Sequence, residues 1–246
     1  MLKPFFTSLL VSSLLLAISL GVAMPGYAVV SIIHGKTIIP AGNATSDKDL
    51  TIRNEKLAFS LAVGSAPPWG VARGCIVDIA NVKADGSLSH DRVAFADFIP
   101  NNWSSWPTTY QTVDIIKDSQ DEAIVKITRD FGKVVISTIY SLASGSDLIH
   151  VKTTMTNEGE ALVDMLSGYT LWPDAGYKFA VPGYAGKEEA VLNDPIADRF
   201  VGYDADWAIA LHAPDMTEIK SKSRDLYAQH SLKKSESITY EGVYQV

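Results

Sequence analysis

The sequence has a single cysteine, Cys75, so no internal disulfide can stabilise the fold and a packed core must do so instead. It also lacks any run of lysine and arginine, and its net charge is -7. Nucleic acids and anionic membrane surfaces attract basic protein faces, so neither is an expected partner. Hydrophobic residues make up 47% of the chain and charged residues 20%, a balance that is typical of a globular protein.

Motifs for metal or cofactor sites are also missing. The five histidines are scattered, and none has the HxH or HExxH spacing of a zinc site. There is no GxSxG nucleophile elbow and no glycine-rich phosphate loop after a strand, and Cys75 lies in an apolar pattern typical of an inert thiol. Four aspartates between positions 194 and 206 follow no calcium-loop motif, which favours a solvated acidic loop over a Ca²⁺ site. We therefore expect no metal and no cofactor.

The first 28 residues have the pattern of a cleavable signal peptide. Lys3 supplies a short positive start, an apolar run covers residues 5–22, and small residues occupy the cleavage region at 26–28. Cleavage after Ala28, or after Ala23, predicts a secreted or periplasmic protein. An uncleaved membrane anchor is the alternative, because the apolar run is nearly long enough to span a bilayer.

The rest of the chain indicates β structure. Residues 29–49 read as a leader that includes a short edge strand, and from Leu50 onward apolar residues recur with period two. Leu57, Phe59 and Leu61, for example, alternate with small residues, and Gly132 separates two such runs as a tight hairpin would. No window shows a clean helical stripe. The pattern predicts one all-β domain over residues 50–246, a large antiparallel two-sheet sandwich with few short helices.

Aromatic and short polar side chains concentrate in two segments. The first is DRVAFADFIPNNWSSWPTTY, which carries Trp103, Trp106 and Tyr110. Flat rings cover the C–H faces of sugars, while amides and hydroxyls pair with sugar hydroxyls, so this loop suits a polysaccharide or glycan. The alternative is that these rings close the core where strands turn.

The second segment carries Tyr169, Trp172, Asp174 and Tyr177, and we expect it to form one cleft with the first. Trp69, which follows a double proline, and Arg73 are expected to rim that cleft. Arg73 suits a ligand carboxylate through a bidentate pair; a buried strand-end aspartate such as Asp78 or Asp97 is its alternative partner. Packing on the opposite side of the sheet is the alternative for the whole segment.

Three stretches resemble the galactose-mutarotase-like β-supersandwich superfamily. The first is IRNEKLAFSLAVGSAPPWGVARGCIVDIANV, with the opening pattern I.N..L.F.L.V; the others are SGSDLIHVKTTMTNEGEALVDMLSGYTLWPDAG and KKSESITYEGVYQV. The resemblance covers residues 50–246 and implies a two-sheet supersandwich. Members that epimerise sugars have a histidine acid after the central strand and a glutamate base near the end. Here residues 166–173 contain no histidine, and neither Glu236 nor Glu241 sits in a base motif. These departures from the family pattern argue against mutarotation, which needs both a proton donor and a proton acceptor.

The sequence therefore predicts a secreted, non-catalytic carbohydrate-recognition or structural module. Two alternatives stay open: a sugar epimerase or polysaccharide lyase that uses the same cleft, and a spacer or interaction domain without a small ligand. The last apolar alternation, from Ile238 to Val246, is still running where the sequence stops. Natural chain ends are usually polar and frayed, so we expect a longer protein with a downstream domain.

Overall fold

Period-two alternation forms strands because successive side chains on an extended chain point to opposite faces, so one face can be buried in a core. In the computed structural model, the structure describes residues 29–100, 110–174, 176–187, 197–216, 218–220 and 224–246. The predicted signal peptide and the loop segment 101–109 lie outside these residues. Along the described chain the strands are β1 Ser31–His34, β2 Leu50–Arg53, β3 Leu57–Leu61, β4 Ile76–Asn81, β5 Val93–Ile99, β6 Tyr110–Asp118, β7 Glu122–Phe131, β8 Val134–Ala143, β9 Leu148–Asn157, β10 Val163–Pro173, β11 Lys178–Val181, β12 Tyr184–Lys187, β13 Arg199–Tyr203, β14 Ala208–His212, β15 Glu218–Lys220, β16 Asp225–Leu232 and β17 Ser237–Gln245.

The strands form two antiparallel sheets. The eight-stranded sheet has the order β1-β2-β3-β4-β5-β10-β16-β15, and the nine-stranded sheet has the order β12-β11-β13-β14-β17-β9-β8-β7-β6. The predicted all-β, two-sheet class is confirmed. Helical structure in the described residues is limited to one 3₁₀ turn, Pro68–Gly70. The described part of the chain holds no helix with the length and apolar character needed to cross a bilayer.

Two glycines show how the sequence sets local geometry. Gly132 has φ 65° in the two-residue turn between β7 and β8, a conformation that costs glycine little, and the predicted hairpin forms there. Gly168 lies on β10, where an added Cβ would sit 1.6 Å from the Leu226 carbonyl oxygen. The absence of a side chain at Gly168 therefore lets β16 pair closely with β10.

The main core lies between the two sheets and is made of aromatic and aliphatic residues. Phe59 and Phe98 face it from the eight-stranded sheet, and Tyr140 and Tyr240 face it from the nine-stranded sheet. The rings of Phe59 and Tyr140 lie 6.5 Å apart, and those of Phe98 and Tyr240 stack at 6.4 Å. Burial of these rings together with the surrounding aliphatic side chains stabilises a fold that has no internal disulfide.

A buried ion pair joins the two sheets. The Arg129 guanidinium on β7 donates two hydrogen bonds to Asp97 on β5, one of them from Nη2 to Oδ1 at 2.9 Å. The Tyr140 hydroxyl donates to the same Oδ1 at 2.9 Å. Burial works against the charged guanidinium, but the Asp97 carboxylate outweighs it and raises the pKa of Arg129. The Arg129 guanidinium thus stays charged although it is sealed from water.

Candidate ligand site

The site is built on the face of the eight-stranded sheet that is turned away from the nine-stranded sheet. On β5 and β10, Phe95 and Trp172 are directly opposite each other in the register. Their chain neighbours Ala96 and Leu171 belong to the core between the sheets, so Phe95 and Trp172 point to the outer face. There they pack in a second, smaller apolar cluster with Cys75 and its neighbours.

Trp69 covers this outer cluster from the loop that follows the double proline. Its ring centroid lies 5.2 Å from that of Trp172 and 5.8 Å from that of Phe95, while Phe95 and Trp172 stack at 6.0 Å. We call these three residues and the flanking Tyr177 and Arg224 the aromatic face. Trp69 remains 68% exposed, so the outer surface of its indole is open to a ligand.

The backbone at Trp69 is strained. Its φ of 55° and ψ of 22° are left-handed, a region that bulky residues rarely occupy. Such strain costs of order 1–3 kcal/mol and concentrates at ligand-binding and active sites. The fold holds a large, exposed indole in this conformation at the position where a glycine would be unstrained.

Arg224 packs against the Trp172 ring of the aromatic face. Its guanidinium carbon is 3.9 Å from the centroid of the Trp172 ring, the distance of a close cation–π contact. Its Nε donates a hydrogen bond to the Tyr177 hydroxyl at 2.6 Å. The residue is placed there because its carbonyl accepts from the Leu171 amide at 3.1 Å, which ties it to the end of β10.

A buried carboxylate lies next to the platform. Asp225, the first residue of β16, is fully buried. Its Oδ1 accepts a long hydrogen bond from Trp172 Nε1 at 3.4 Å, and its Oδ2 accepts from the Tyr227 hydroxyl at 3.1 Å. Asp225 thereby helps to fix the orientation of the Trp172 indole, while Arg224 adds a polar group beside the apolar ring surface. A flat ligand with hydroxyl groups on its rim suits this arrangement.

Of the residues predicted from the sequence, Trp69 and Trp172 come together on the aromatic face. Trp103 and Trp106 lie outside the described residues, and Tyr110 begins β6, where only the backbone is described. Their convergence with Trp172 stays a prediction. Tyr169 is 1% exposed; its ring packs against Phe98 across the pair β5–β10. The structure therefore places Tyr169 in the core and not on a ligand surface.

Arg73 and Asp174 are both at the surface, in different surroundings. Arg73 is exposed, and the two aspartates considered as its partners are engaged elsewhere: Asp97 binds Arg129, and Asp78 accepts the backbone amides of residues 43 and 44. Asp174 lies near Arg92, whose carbonyl accepts the Asp174 amide at 3.0 Å. Partial burial raises the pKa of Asp174, and the Arg92 charge opposes this rise.

Two acids that the sequence reasoning did not connect lie beneath the same outer face. Asp78 and Asp91 are buried, and Asp91 Oδ1 accepts from the Ile79 amide at 2.9 Å. Burial, and next the nearby charge of Asp78, raise the pKa of Asp91 to about 8. Asp91 therefore takes up a proton at a much higher pH than an exposed aspartate does. Asn43 Nδ2 donates to its other oxygen at 3.2 Å, which anchors the loop between β1 and β2 over the sheet.

Sequence reasoning missed Phe95, Arg224 and Asp225. Phe95 looked like any other strand residue, and Arg224 and Asp225 precede an ordinary alternation without a motif. The one available signal was the strand register: Phe95 shares its face with Trp172 only once β5 and β10 are known to be neighbours. That pairing joins strands about 75 residues apart in the chain and is not visible in local pattern.

Comparison with protein-family models finds no match, and comparison with curated sequences finds none either. Solved structures do match. A putative aldose 1-epimerase from Klebsiella pneumoniae subsp. pneumoniae MGH 78578 matches with TM-score 0.55 and 12% identity, over 88% of this chain and 82% of that one. A galactose mutarotase-like protein from Lactobacillus casei ATCC 334 matches with TM-score 0.51 and 11% identity, over 80% of this chain and 99% of that one.

A TPR-domain containing protein from Parabacteroides distasonis ATCC 8503 matches with TM-score 0.52 and 12% identity, over 89% of this chain. This chain spans 54% of the length of that protein. At such low identities these likenesses establish the fold alone. The fold is galactose-mutarotase-like, and the resemblance predicted from the three sequence stretches is confirmed at that level.

Proposed function

We propose that this protein is a secreted, non-catalytic carbohydrate-binding module whose ligand lies on the aromatic face. The observation that carries the proposal is the indole pair of Trp69 and Trp172, 5.2 Å apart, with Trp69 68% exposed in a strained left-handed backbone. An exposed indole stacks on the C–H face of a pyranose ring, and stacked ring pairs contribute about 0.5–1.5 kcal/mol beyond the area they bury.

The polar groups beside the platform complete the proposed site. Arg224 lies over Trp172 with its guanidinium carbon 3.9 Å from the ring centroid, which supports a site that combines an apolar ring with a fixed positive charge. Two of the similar structures are described as a galactose mutarotase-like protein and a putative aldose 1-epimerase, and these descriptions support a sugar as the proposed ligand. A neutral or weakly acidic glycan fits the site better than a cation, because Arg224 carries a fixed charge.

The surroundings of the platform favour binding over catalysis. Mutarotation requires one group that donates a proton and another that accepts it at the anomeric carbon. Arg224 is permanently charged, and Asp225 is buried with hydrogen bonds to Trp172 and Tyr227. None of the hydrogen bonds or ring contacts given above for the aromatic face involves a histidine. A single flat platform gives weak affinity, which suits a module that acts many times along a polymer or beside a downstream domain.

The test is binding of wild-type protein and Trp69→Ala to a panel of soluble plant and microbial polysaccharides, by affinity electrophoresis and calorimetry. We expect Trp69→Ala to weaken binding about tenfold or more, which corresponds to loss of one stacking contact and its polar neighbours. Leu162→Ala is the matched control, because Leu162 is 56% exposed and precedes the far end of β10. Equal retention of Trp69→Ala and wild type would overturn the proposal.

The epimerase and lyase alternatives are tested with the same preparation. Anomer exchange of galactose and glucose is followed by proton NMR, and the release of unsaturated or reducing ends from polysaccharides is measured in parallel. We expect both rates to equal those in buffer alone. An acceleration that disappears in a variant of Asp225, such as Asp225→Asn, would establish an enzyme in place of a binding module.

A further inference from the structure

The nine-stranded sheet carries an open hollow of about 540 Å³ on the face turned away from the core. We call it the polar hollow. It is far from the aromatic face in the topology, because its lining comes from β7, β8, β9, β14 and β17, none of which belongs to the eight-stranded sheet. Its volume lies within the range of about 300–1,000 Å³ that is usual for small-molecule sites.

The sheet register arranges the polar groups of the hollow. Val243 on β17 pairs with His150 on β9 at one side and with His212 on β14 at the other. Residues paired in this way share a face, so the two imidazoles stand on either side of Val243, roughly 10 Å apart at two strand spacings. Two residues away along β9 and β17, on the same face, Lys152 is paired with Glu241. Val243 is therefore an apolar floor between the two imidazoles, and the Lys152–Glu241 pair forms the next row across the strands.

The charged groups of the hollow are already balanced. Lys152 Nζ and Glu241 Oε1 form an ion pair at 2.8 Å. The hydrogen bond and the charge of Lys152 lower the pKa of Glu241, and His150 adds a smaller lowering effect. His212 Nε2 lies 3.2 Å from Asp198 Oδ2, which fixes the orientation of that ring. A ligand with a net charge of either sign would meet a like charge here.

The spacing of the groups also selects among ligand classes. Among the described residues, no group of three or more histidine, cysteine or acidic side chains has metal-binding geometry. An apolar floor bordered by alternating donors and acceptors fits a neutral molecule with several hydroxyl groups, because each hydroxyl both donates and accepts a hydrogen bond.

We propose that the polar hollow is a second, independent binding site, which takes one unit of a neutral saccharide between His150, His212 and the Lys152–Glu241 pair. The sugar ring lies over Val243, with its hydroxyls toward the flanking imidazoles and the neighbouring ion pair. This inference goes beyond the proposed function of the aromatic face, since it makes the protein bivalent through opposite faces of the sandwich. Bivalency would let one copy bridge two glycan chains.

The experiment uses the histidine side chains of the hollow as reporters. Imidazole proton–carbon NMR signals of His150 and His212, assigned with His150→Gln and His212→Gln, are followed while methyl α-glycosides of glucose, galactose and mannose are added. Exposed His34 and His90 serve as internal controls, and glycerol controls for unspecific polyol effects. We expect both hollow signals to shift with one saturation curve for at least one glycoside, equally in wild type and Trp69→Ala.

Glu241→Gln is the matched variant, because it keeps the size of the side chain and removes the charge that pairs with Lys152. We expect it to weaken the saccharide affinity of the hollow about tenfold, since a charged carboxylate accepts a stronger hydrogen bond than a neutral amide does. Folding is checked by circular dichroism and thermal unfolding. Unchanged affinity in folded Glu241→Gln, or hollow signals that do not move up to the solubility limit of all three glycosides, would overturn the proposal.

These experiments distinguish a failure of the aromatic-face proposal from a failure of the polar-hollow proposal. If binding at the aromatic face is absent, the Trp69→Ala variant has no effect on polysaccharide affinity, while the histidine signals still respond. If the hollow is not a site, polysaccharide affinity still depends on Trp69, while the histidine signals stay in place. Histidine shifts that vanish in Trp69→Ala would indicate one site read from a distance and would exclude the second site.

Discussion

The outer faces of the two sheets differ in how they treat carboxylates. On the eight-stranded sheet, loop residues cover Asp78 and Asp91, and burial raises the pKa of both. On the nine-stranded sheet, Glu241 stands in water beside Lys152, and its pKa is lowered. The pKa of the same chemical group is thus raised under one face and lowered on the other. The difference shows that covering segments, more than residue type, decide the character of each face.

The two faces also offer different contacts to a ligand. On the eight-stranded sheet, which we call the covered face, aromatic rings close the surface, and Trp69 presents a flat apolar side to solvent. The open face presents side chains of alternating strand positions, with an apolar floor between imidazoles and an ion pair. Stacking would dominate on the first face and hydrogen bonding on the second. Three further predictions, in order of decreasing effect, test how far the faces are independent.

The largest effect is expected where the two sheets are joined. Asp97→Ala leaves the Arg129 guanidinium buried without its carboxylate, and loss of one partner of a buried pair costs about 3–5 kcal/mol. Chemical denaturation should show this loss in the free energy of unfolding, and both faces should lose their ligands together. The double variant Asp97→Leu with Arg129→Met is expected to recover much of it. Equal stability of Asp97→Ala and wild type would contradict the structure of this pair.

A smaller, pH-dependent effect is expected at the covered face. Asp91 has a folded-state pKa of about 8 against an ordinary value of 3.8. Its contribution to stability is therefore full below pH 4, where it is protonated in both states, and is lost as the pH rises toward 8. We expect Asp91→Asn, which keeps a carbonyl acceptor for the Ile79 amide, to make the fall in thermal midpoint between pH 5 and pH 8 shallower.

Asp47→Asn is the control for the pH series, because Asp47 is an exposed aspartate in the segment between β1 and β2. It should leave the pH dependence of the midpoint as in wild type. If the thermal midpoint of Asp91→Asn changed with pH as steeply as that of wild type, the pKa of Asp91 would not be raised by burial. The two faces would then not differ in how they shift the pKa of a carboxylate.

The smallest effect is expected at the open face. Lys152→Met removes an exposed ion-pair partner of Glu241, and exposed pairs contribute little to stability. The thermal midpoint should move by no more than about 2 °C, while saccharide binding in the polar hollow weakens. A large loss of stability would show that the pair supports the fold, and the open face would then be structural.

Much of the fold was predictable because it depends on local pattern. The alternation through Leu57, Phe59 and Leu61 set which side chains face the core, and Gly132 marked a hairpin that forms as expected. The galactose-mutarotase-like fold followed from three such stretches. The candidate site was predictable only in part: Trp69 and Trp172 were selected as aromatic residues near turns, while Tyr169, one strand position away from Gly168 and Thr170, belongs to the core.

The sequence alone determined the period of the strands, the positions of the turns and the need for a large apolar core, because each depends on residues close together in the chain. Only the tertiary structure decided that Arg224 lies over Trp172, that Arg129 neutralises Asp97, and that His150 and His212 flank Val243. These neighbours are separated by tens of residues in the chain. Strand order and register bring them together, and both are set by the packing of the whole sandwich rather than by any short segment.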